Sequence, residues 1–209
     1  MPCGTCFSAI AAGTTDPGRE YTNRMSTPLE REVKLRFESP QAARAAVTAS
    51  GATPLRPRRL QSDVLFDTDQ RVLSARSQVL RVRIEAGHSY VTFKSPAEHP
   101  TLKLREEIET GVEDGERLVT IFLRSGFRIW FRYQKYREEF ALDDVIIAVD
   151  ETPVGTFVEI EGSDHGIVTA VAALGRGPAD YIVESYRALF VRHCNERGIP
   201  AGDMVFAER

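Results

Sequence analysis

Residues 29–37, LEREVKLRF, alternate along the chain: Glu30, Glu32 and Lys34 fall on one side of an extended segment, Val33, Leu35 and Phe37 on the other. A period of two predicts a strand. The same reading predicts strands at 60–68, in a hairpin over 78–95 turning at Ala86–Gly87, and at 102–111. Residues 127–142 read as one long strand or two, and 143–162 as two strands around a turn near Pro153–Gly155. Helical spacing appears at 39–51, where Ser39 is the N-cap, Pro40 the first helical residue and Gly51 the stop. It recurs at 114–126, 164–174 and 178–197, the last opening with Pro178 and closing near Gly198. Residues 1–24 keep no period and are rich in breakers, which predicts disorder; Met25 is a second candidate start, with residues 25–209 forming a single catalytic domain. About eight strands in hairpin-like order with inserted helices predict an antiparallel α+β fold, and a closed barrel is a natural solution to its edges.

The polar faces of these strands carry an unusual composition. They present Arg81, Arg83 and Glu85; Tyr90, Thr92 and Lys94; Lys103, Arg105, Glu107 and Glu109; Lys135 and Arg137; and Glu159 and Glu161. A wet face is ordinary in antiparallel sheets, but this one is almost purely ionic. Like charges recur two residues apart, at about 7 Å. Such a pair repels by about 0.6 kcal/mol in water and about 2.4 kcal/mol at an effective dielectric near 20. Repetition of this arrangement implies bridging ligands: a divalent cation for the acids, a polyanion for the bases.

Overall composition is that of an ordinary globular chain: 209 residues, 42% hydrophobic and 27% charged, with net charge −3. The 27 Lys+Arg against 30 Asp+Glu give no basic excess for nucleic acid or an anionic membrane, and no run approaches a membrane span. Cys3 and Cys6 form a CxxC without the second pair or nearby histidines that zinc needs, and Cys194 falls in a predicted helix. A reducing, cytoplasmic setting is expected. His88, His99, His165 and His193 are scattered over a turn, a loop and helices.

Paired carboxylates are hard oxygen ligands suited to Mg²⁺ or Mn²⁺, and rows of Arg and Lys suit a chain of phosphates. GxxxxGK[ST] and strand-following GxGxxG loops are both missing, so side chains rather than a helix N-terminus are expected to hold the phosphates.

These residues resemble the CYTH superfamily, the triphosphate tunnel metalloenzymes, which unites class IV adenylyl cyclases, thiamine triphosphatases and inorganic triphosphatases. The resemblance rests on ExExK at Glu30–Lys34, followed in order by LRVR (80–83), VTFK (91–94), REEIE (105–109), KYR (135–137), AVDE (148–151) and GTFVEIE (155–161). It runs from about Leu29 to the C-terminal helix. It implies an eight-stranded antiparallel barrel enclosing the charged face as a tunnel, with helices outside. Glu30, Glu32, Glu159 and Glu161 then resemble metal ligands, and Glu107, Glu109 and Asp150, which line the same tunnel, are further metal-ligand candidates by that resemblance. Lys34, Arg81, Arg83, Lys94, Lys135 and Arg137 resemble the triphosphate cradle. Lys94, Lys135 and Glu32 are the candidates for direct catalytic roles. The N-terminal extension departs from the family pattern.

The implied function is hydrolysis of a phosphoanhydride bond in inorganic triphosphate, thiamine triphosphate or a nucleoside triphosphate, with Mg²⁺ or Mn²⁺. The alternative is a class IV adenylyl cyclase forming cyclic AMP and pyrophosphate; a remoter one is a non-catalytic polyphosphate binder. No residue set commits to adenine recognition. Trp130 is a candidate stacking residue or a packed one, and Asp63 and Asp67 are candidates for the tunnel or for a turn. The expected partner is a small triphosphate rather than nucleic acid or membrane, and a homodimer is compatible with the chain. The last helix, with Tyr181, Ser185 and Tyr186 at helical spacing, either plugs one tunnel end or packs outside.

Overall fold

The computed structural model describes residues 29–96 and 103–207. The expectations for residues 1–24, Met25, Cys3, Cys6 and His99 lie outside the described residues.

Eight antiparallel strands close into a barrel in the order β1-β5-β4-β3-β2-β6-β7-β8. They are β1 (Leu29–Phe37), β2 (Thr53–Asp67), β3 (Val79–Glu85), β4 (His88–Pro96), β5 (Lys103–Val112), β6 (Arg128–Leu142), β7 (Val145–Thr152) and β8 (Gly155–Gly162). The helices are α1 (Pro40–Ala49), α2 (Val72–Ala75), α3 (Gly115–Arg124), α4 (Asp164–Ala173) and α5 (Tyr186–Glu196). Caps fix where the longer ones begin: Ser39, Asp114, Ser163 and Ser185 each accept a backbone N–H from the first turn of their helix. The β3–β4 hairpin turns through Ala86 (φ 46°) and Gly87 (φ 81°), the paired left-handed conformation that suits the twist of a two-residue loop. Among the described residues no helix is long and apolar enough to cross a membrane.

Alternation gives this barrel two buried faces. Outward-facing Val33, Leu35 and Phe37 join Val47 of α1, Ile147, Val149, Val158 and Ile160 of the last strands, and Ile167 and Val171 of α4 in one core. A side chain of this kind contributes about 1.5–3 kcal/mol when fully buried. Inward-facing Glu32 and Lys34 of the same strand are buried as well, but inside the barrel. A second core under α3 holds Phe66, Val82 and Val119.

The structure departs from the periodic reading in three places. β2 starts at Thr53 rather than near residue 60, although Pro54 and Pro57 lie within it. Its first half pairs with β6 while β3 joins only from Gln61, and register shifts flank the prolines. Prolines are tolerated on such an unpaired edge and at bulges. The helix expected over 178–197 is interrupted. Pro178–Asp180 form a 3₁₀ turn, the chain then extends, and the Ile182 N–H donates to the Lys34 carbonyl at 2.8 Å. Ser185 starts α5 afresh. Third, α2 was not expected; Asp67 builds it by accepting the N–H groups of Thr68, Leu73 and Ser74, which gives Asp67 the turn role.

Candidate active site

The inward faces of the strands enclose a tunnel with a cavity of about 760 Å³. Strand direction gives it two unlike ends. At one end, where β2, β6 and β8 meet α5, Leu65, Phe131, Tyr133, Phe157, Tyr186, Leu189 and Met204 form an apolar cluster. At the other, β1 and β7 begin, β8 ends, and the lining turns polar. The C-terminal segment therefore packs across a tunnel end, one of the two placements expected for it.

The deep section is a network of bases clamped by three acids. Asp150 is fully buried and takes four hydrogen bonds. Its Oδ2 accepts from Lys135 Nζ (2.7 Å), Arg137 Nη2 (2.6 Å) and Tyr186 Oη (2.6 Å), and its Oδ1 accepts from Arg137 Nε (2.7 Å). Glu159 binds Lys34 Nζ at 2.7 Å and also pairs with Arg137 and, at 3.6 Å, with Lys135. The two ammonium groups stand over the Tyr186 ring, 4.8 and 5.0 Å from its centroid. Asp63 accepts a forked pair of bonds from Arg83 (2.9 and 3.2 Å) and lies 3.5 Å from Arg81.

Burial would raise the Asp63 carboxyl, but Arg83 and Arg81 hold it below the usual carboxylate range. Glu159, equally enclosed, is held well below that range by Lys135, Lys34 and Arg137. Burial, with Arg137 beside it, lowers Lys135 to about 8. Burial and the Asp150 carboxylate push the Tyr186 hydroxyl well up, so it remains a donor.

Toward the other end the acids change character. Lys94 bridges Glu30 (2.6 Å) and Glu107 (2.8 Å), while Arg81 reaches Thr92, Glu109 and, at 3.8 Å, Glu107. Thr92 also donates to Glu109 at 2.7 Å. Glu32 on β1 faces Glu161 on β8 in direct register, one step beyond the Lys34–Glu159 pair. Desolvation and the Glu30 charge raise the Glu107 carboxyl despite Lys94. Solvent reaches Glu161 at the rim, yet its protein surroundings and the nearby Glu30 and Glu107 carboxylates raise it to about 7.

The structure thus divides the expected metal-facing acids. Asp150 and Glu159 are filled by bases, and Glu109 by Arg81 and Thr92. Glu30, Glu32, Glu107 and Glu161 occupy the mouth. Among the described residues no three acids, histidines or cysteines are already gathered at ligating distance. The mouth set nevertheless fits a hard divalent cation: all its donors are carboxylate oxygens, and after desolvation the Glu30 carboxylate adds to the rise of both Glu107 and Glu161.

The cradle residues Lys34, Arg81, Arg83, Lys94, Lys135 and Arg137 all line this cavity. Asp63 is buried behind this lining, where it pairs with Arg83 and Arg81. Trp130 also borders the cavity, under the Arg187 guanidinium at 4.3 Å, which takes one of its faces. Arg59, Gln61 and Glu139 also line the cavity without standing out in the sequence, and Tyr186, one of the helix residues expected to plug a tunnel end or pack, lines it too. Continuing the period of two backward from Asp63 reaches Gln61 and Arg59, and forward from Arg137 reaches Glu139. Helical spacing marks Tyr186 on the last helix but not its bond to Asp150, because it enters from outside the sheet.

A closed antiparallel barrel whose interior is a tunnel of ion pairs, with bases deep inside and carboxylates at the mouth, defines a class of proteins built around a charged ligand. The CYTH domain family model matches residues 28–176, and the chain belongs to that family. A curated Methanocaldococcus jannaschii protein named "Putative adenylate cyclase" is 34% identical over 107 residues, which cover 51% of this chain and 61% of that protein. The match therefore spans about three fifths of that relative's length. A solved Vibrio parahaemolyticus structure under the same description superposes with a TM-score of 0.69 at 20% identity, covering 78% of this chain and 98% of the other. A Hippeastrum protein, whose cyclase description adds a dominant triphosphatase activity, gives a TM-score of 0.52 at 20% identity, covering 86% and 92%. At these identities the two structures establish a shared fold.

Proposed function

We propose that the protein is a divalent-metal-dependent enzyme that hydrolyses a phosphoanhydride bond of a triphosphate inside the barrel. The observation that carries this reading is the layering of one tunnel: a deep basic network next to a mouth where Glu30, Glu107 and Glu161 crowd. A polyanion satisfies the first layer and a divalent cation the second, and a metal-complexed triphosphate brings both.

The chain's own residues divide the work. Lys34, Lys135, Arg137 and Arg83 bind phosphate oxygens, Arg by forked bonds and Lys as point charges. Asp63 and Asp150 hold the guanidinium groups in place before the ligand arrives. Lys94 and Arg81 exchange Glu30, Glu107 and Glu109 for phosphate oxygens, and so release those carboxylates. Glu30, Glu32, Glu107 and Glu161 are the residues that would hold Mg²⁺ or Mn²⁺, which supplies charge neutralisation and orientation of the phosphate chain. Lys135, near 8, is charged at neutral pH yet able to give a proton to a leaving oxygen. Tyr186 and the apolar cluster beneath it keep water from that end.

The second reading, cyclisation of ATP to cyclic AMP and pyrophosphate, is favoured by the cyclase name of the 34% identical relative. One experiment separates the two. The full chain is given inorganic triphosphate, thiamine triphosphate and ATP, each with Mg²⁺ and with Mn²⁺, and orthophosphate, pyrophosphate and cyclic AMP are measured together. Orthophosphate without cyclic AMP supports hydrolysis. Cyclic AMP with equal pyrophosphate supports the cyclase. Turnover of none of them overturns both.

A further inference from the structure

The tunnel wall holds a polar group that phosphate cannot satisfy. Gln61 is 1% exposed and lines the tunnel beside Lys135, its direct partner across the β2–β6 ladder. Its amide nitrogen donates to Glu85. Burial would raise the Glu85 carboxyl, but Gln61 and Arg59 hold it low, so it stays an ionised acceptor. That fixes which way the amide points: nitrogen to Glu85, oxygen away. Among the described residues the Gln61 oxygen accepts no hydrogen bond. A buried amide oxygen without a donor is costly, about 1–3 kcal/mol in general. Phosphate oxygens at neutral pH are acceptors themselves, so what fills this position is a different part of the ligand.

The surroundings describe that part. Next to Gln61, Arg59 pairs with Glu85 (3.2 Å) and Glu139 (3.1 Å), so this level already neutralises its own base with two carboxylates. The β7 wall here departs from the ionic pattern: the tunnel-lining residues before Asp150 are Ile146 and Ala148. Ala148 lies between Glu139 and Glu159 across the two ladders, and its small side chain leaves room where every neighbour is long. An apolar wall, an unfilled acceptor and a pair of acids together suit a flat ring that carries an N–H donor.

Resting on the triphosphate reading above, we propose that Gln61, Glu85, Arg59, Glu139, Ala148 and Ile146 form a subsite for the organic head of a substituted triphosphate. The head is an amino-bearing heteroaromatic base, whose N–H donates to Gln61 Oε1 while its ring lies against Ala148 and Ile146. Gln61 is then the residue that distinguishes a nucleoside triphosphate from inorganic triphosphate.

The test compares three ligands by titration calorimetry on the full chain with Mg²⁺: ATP, purine riboside triphosphate (ATP without its amino group) and inorganic triphosphate. Wild type is expected to bind ATP about tenfold more tightly than the des-amino analogue, the scale of one hydrogen bond to a neutral acceptor. Gln61→Met should erase that preference and leave inorganic triphosphate within about twofold. Ala148→Leu, which fills the wall without touching the amide, should weaken ATP and its analogue alike and spare inorganic triphosphate. Equal affinity of wild type for ATP and the analogue overturns the subsite, as does a Gln61→Met variant, folded by thermal melting, that weakens all three ligands equally. Failure of wild type to bind inorganic triphosphate overturns the triphosphate reading and the subsite with it.

Discussion

The Tyr186 hydroxyl donates a 2.6 Å hydrogen bond to Asp150 Oδ2, the same oxygen that receives Lys135 and Arg137. The first residue of α5 thereby completes the buried network that positions the bases. Tyr186→Phe keeps the ring under Lys34 and Lys135 and removes that bond. The expected loss is about 1.5–3 kcal/mol of unfolding free energy, the range for a hydrogen bond to a charged group. A triphosphate KM raised severalfold, with the barrel intact by circular dichroism, is the accompanying outcome. An unchanged KM would separate the helix from the site.

Asp150→Asn tests whether the acid positions the bases. It leaves two buried cations short of charge, and breaking such a network costs about 3–5 kcal/mol. Inorganic triphosphate should restore more of the variant's urea midpoint than of the wild type's, because its oxygens replace the missing carboxylate charge. Equal stabilisation of both proteins would contradict this role.

Lys135 sets a pH dependence. Its value falls from 10.5 to about 8 on folding, first through burial and then through Arg137. In the window between those values the unfolded chain holds a proton that the folded chain has lost. This group therefore makes stability rise with pH there. Triphosphate binding runs the other way: affinity should fall as pH rises through about 8, with proton uptake on binding visible in buffers of different ionisation enthalpy. Lys135→Arg, charged throughout, should lose the inflection.

Glu161 gives the opposite sign at lower pH. Its value rises from 4.5 to about 7 in the fold, so the folded form holds the extra proton between them. The contribution is fully present below 4.5 and is lost as pH rises through about 7. A cation at the mouth competes with that proton. Mg²⁺ should bind more tightly above about pH 7 than below it, and Glu161→Gln should flatten the profile.

Much of this architecture was legible from the strand alternation, because in a barrel both faces obey the period of two. β1 is found at the predicted residues, and the β3–β4 turn at Ala86–Gly87. The energetic reading of the like-charge pairs needed the third dimension. Arg81 and Arg83 share Asp63, and Lys135 and Arg137 share Asp150, so repulsion along a strand is cancelled across the barrel. A single sequence does not carry those partnerships. For the same reason Glu159 and Glu161, adjacent on one face, looked equivalent. Barrel geometry sends one into the bases and leaves the other among acids. The bond from Tyr186 to Asp150 is not legible in the sequence, because it follows from a break in a helix that periodicity reads as continuous.

The most direct measurement is orthophosphate release from inorganic triphosphate by wild type and Glu30→Gln, with Mg²⁺ and after chelation. Glu30 belongs to the mouth acids and lies outside the deep network, so its substitution should leave phosphate binding largely in place. The account predicts metal-dependent release by wild type, abolished by chelation, and a loss of at least about a hundredfold in the variant, the scale of disabling a metal site. Turnover that survives both chelation and Glu30→Gln would contradict it.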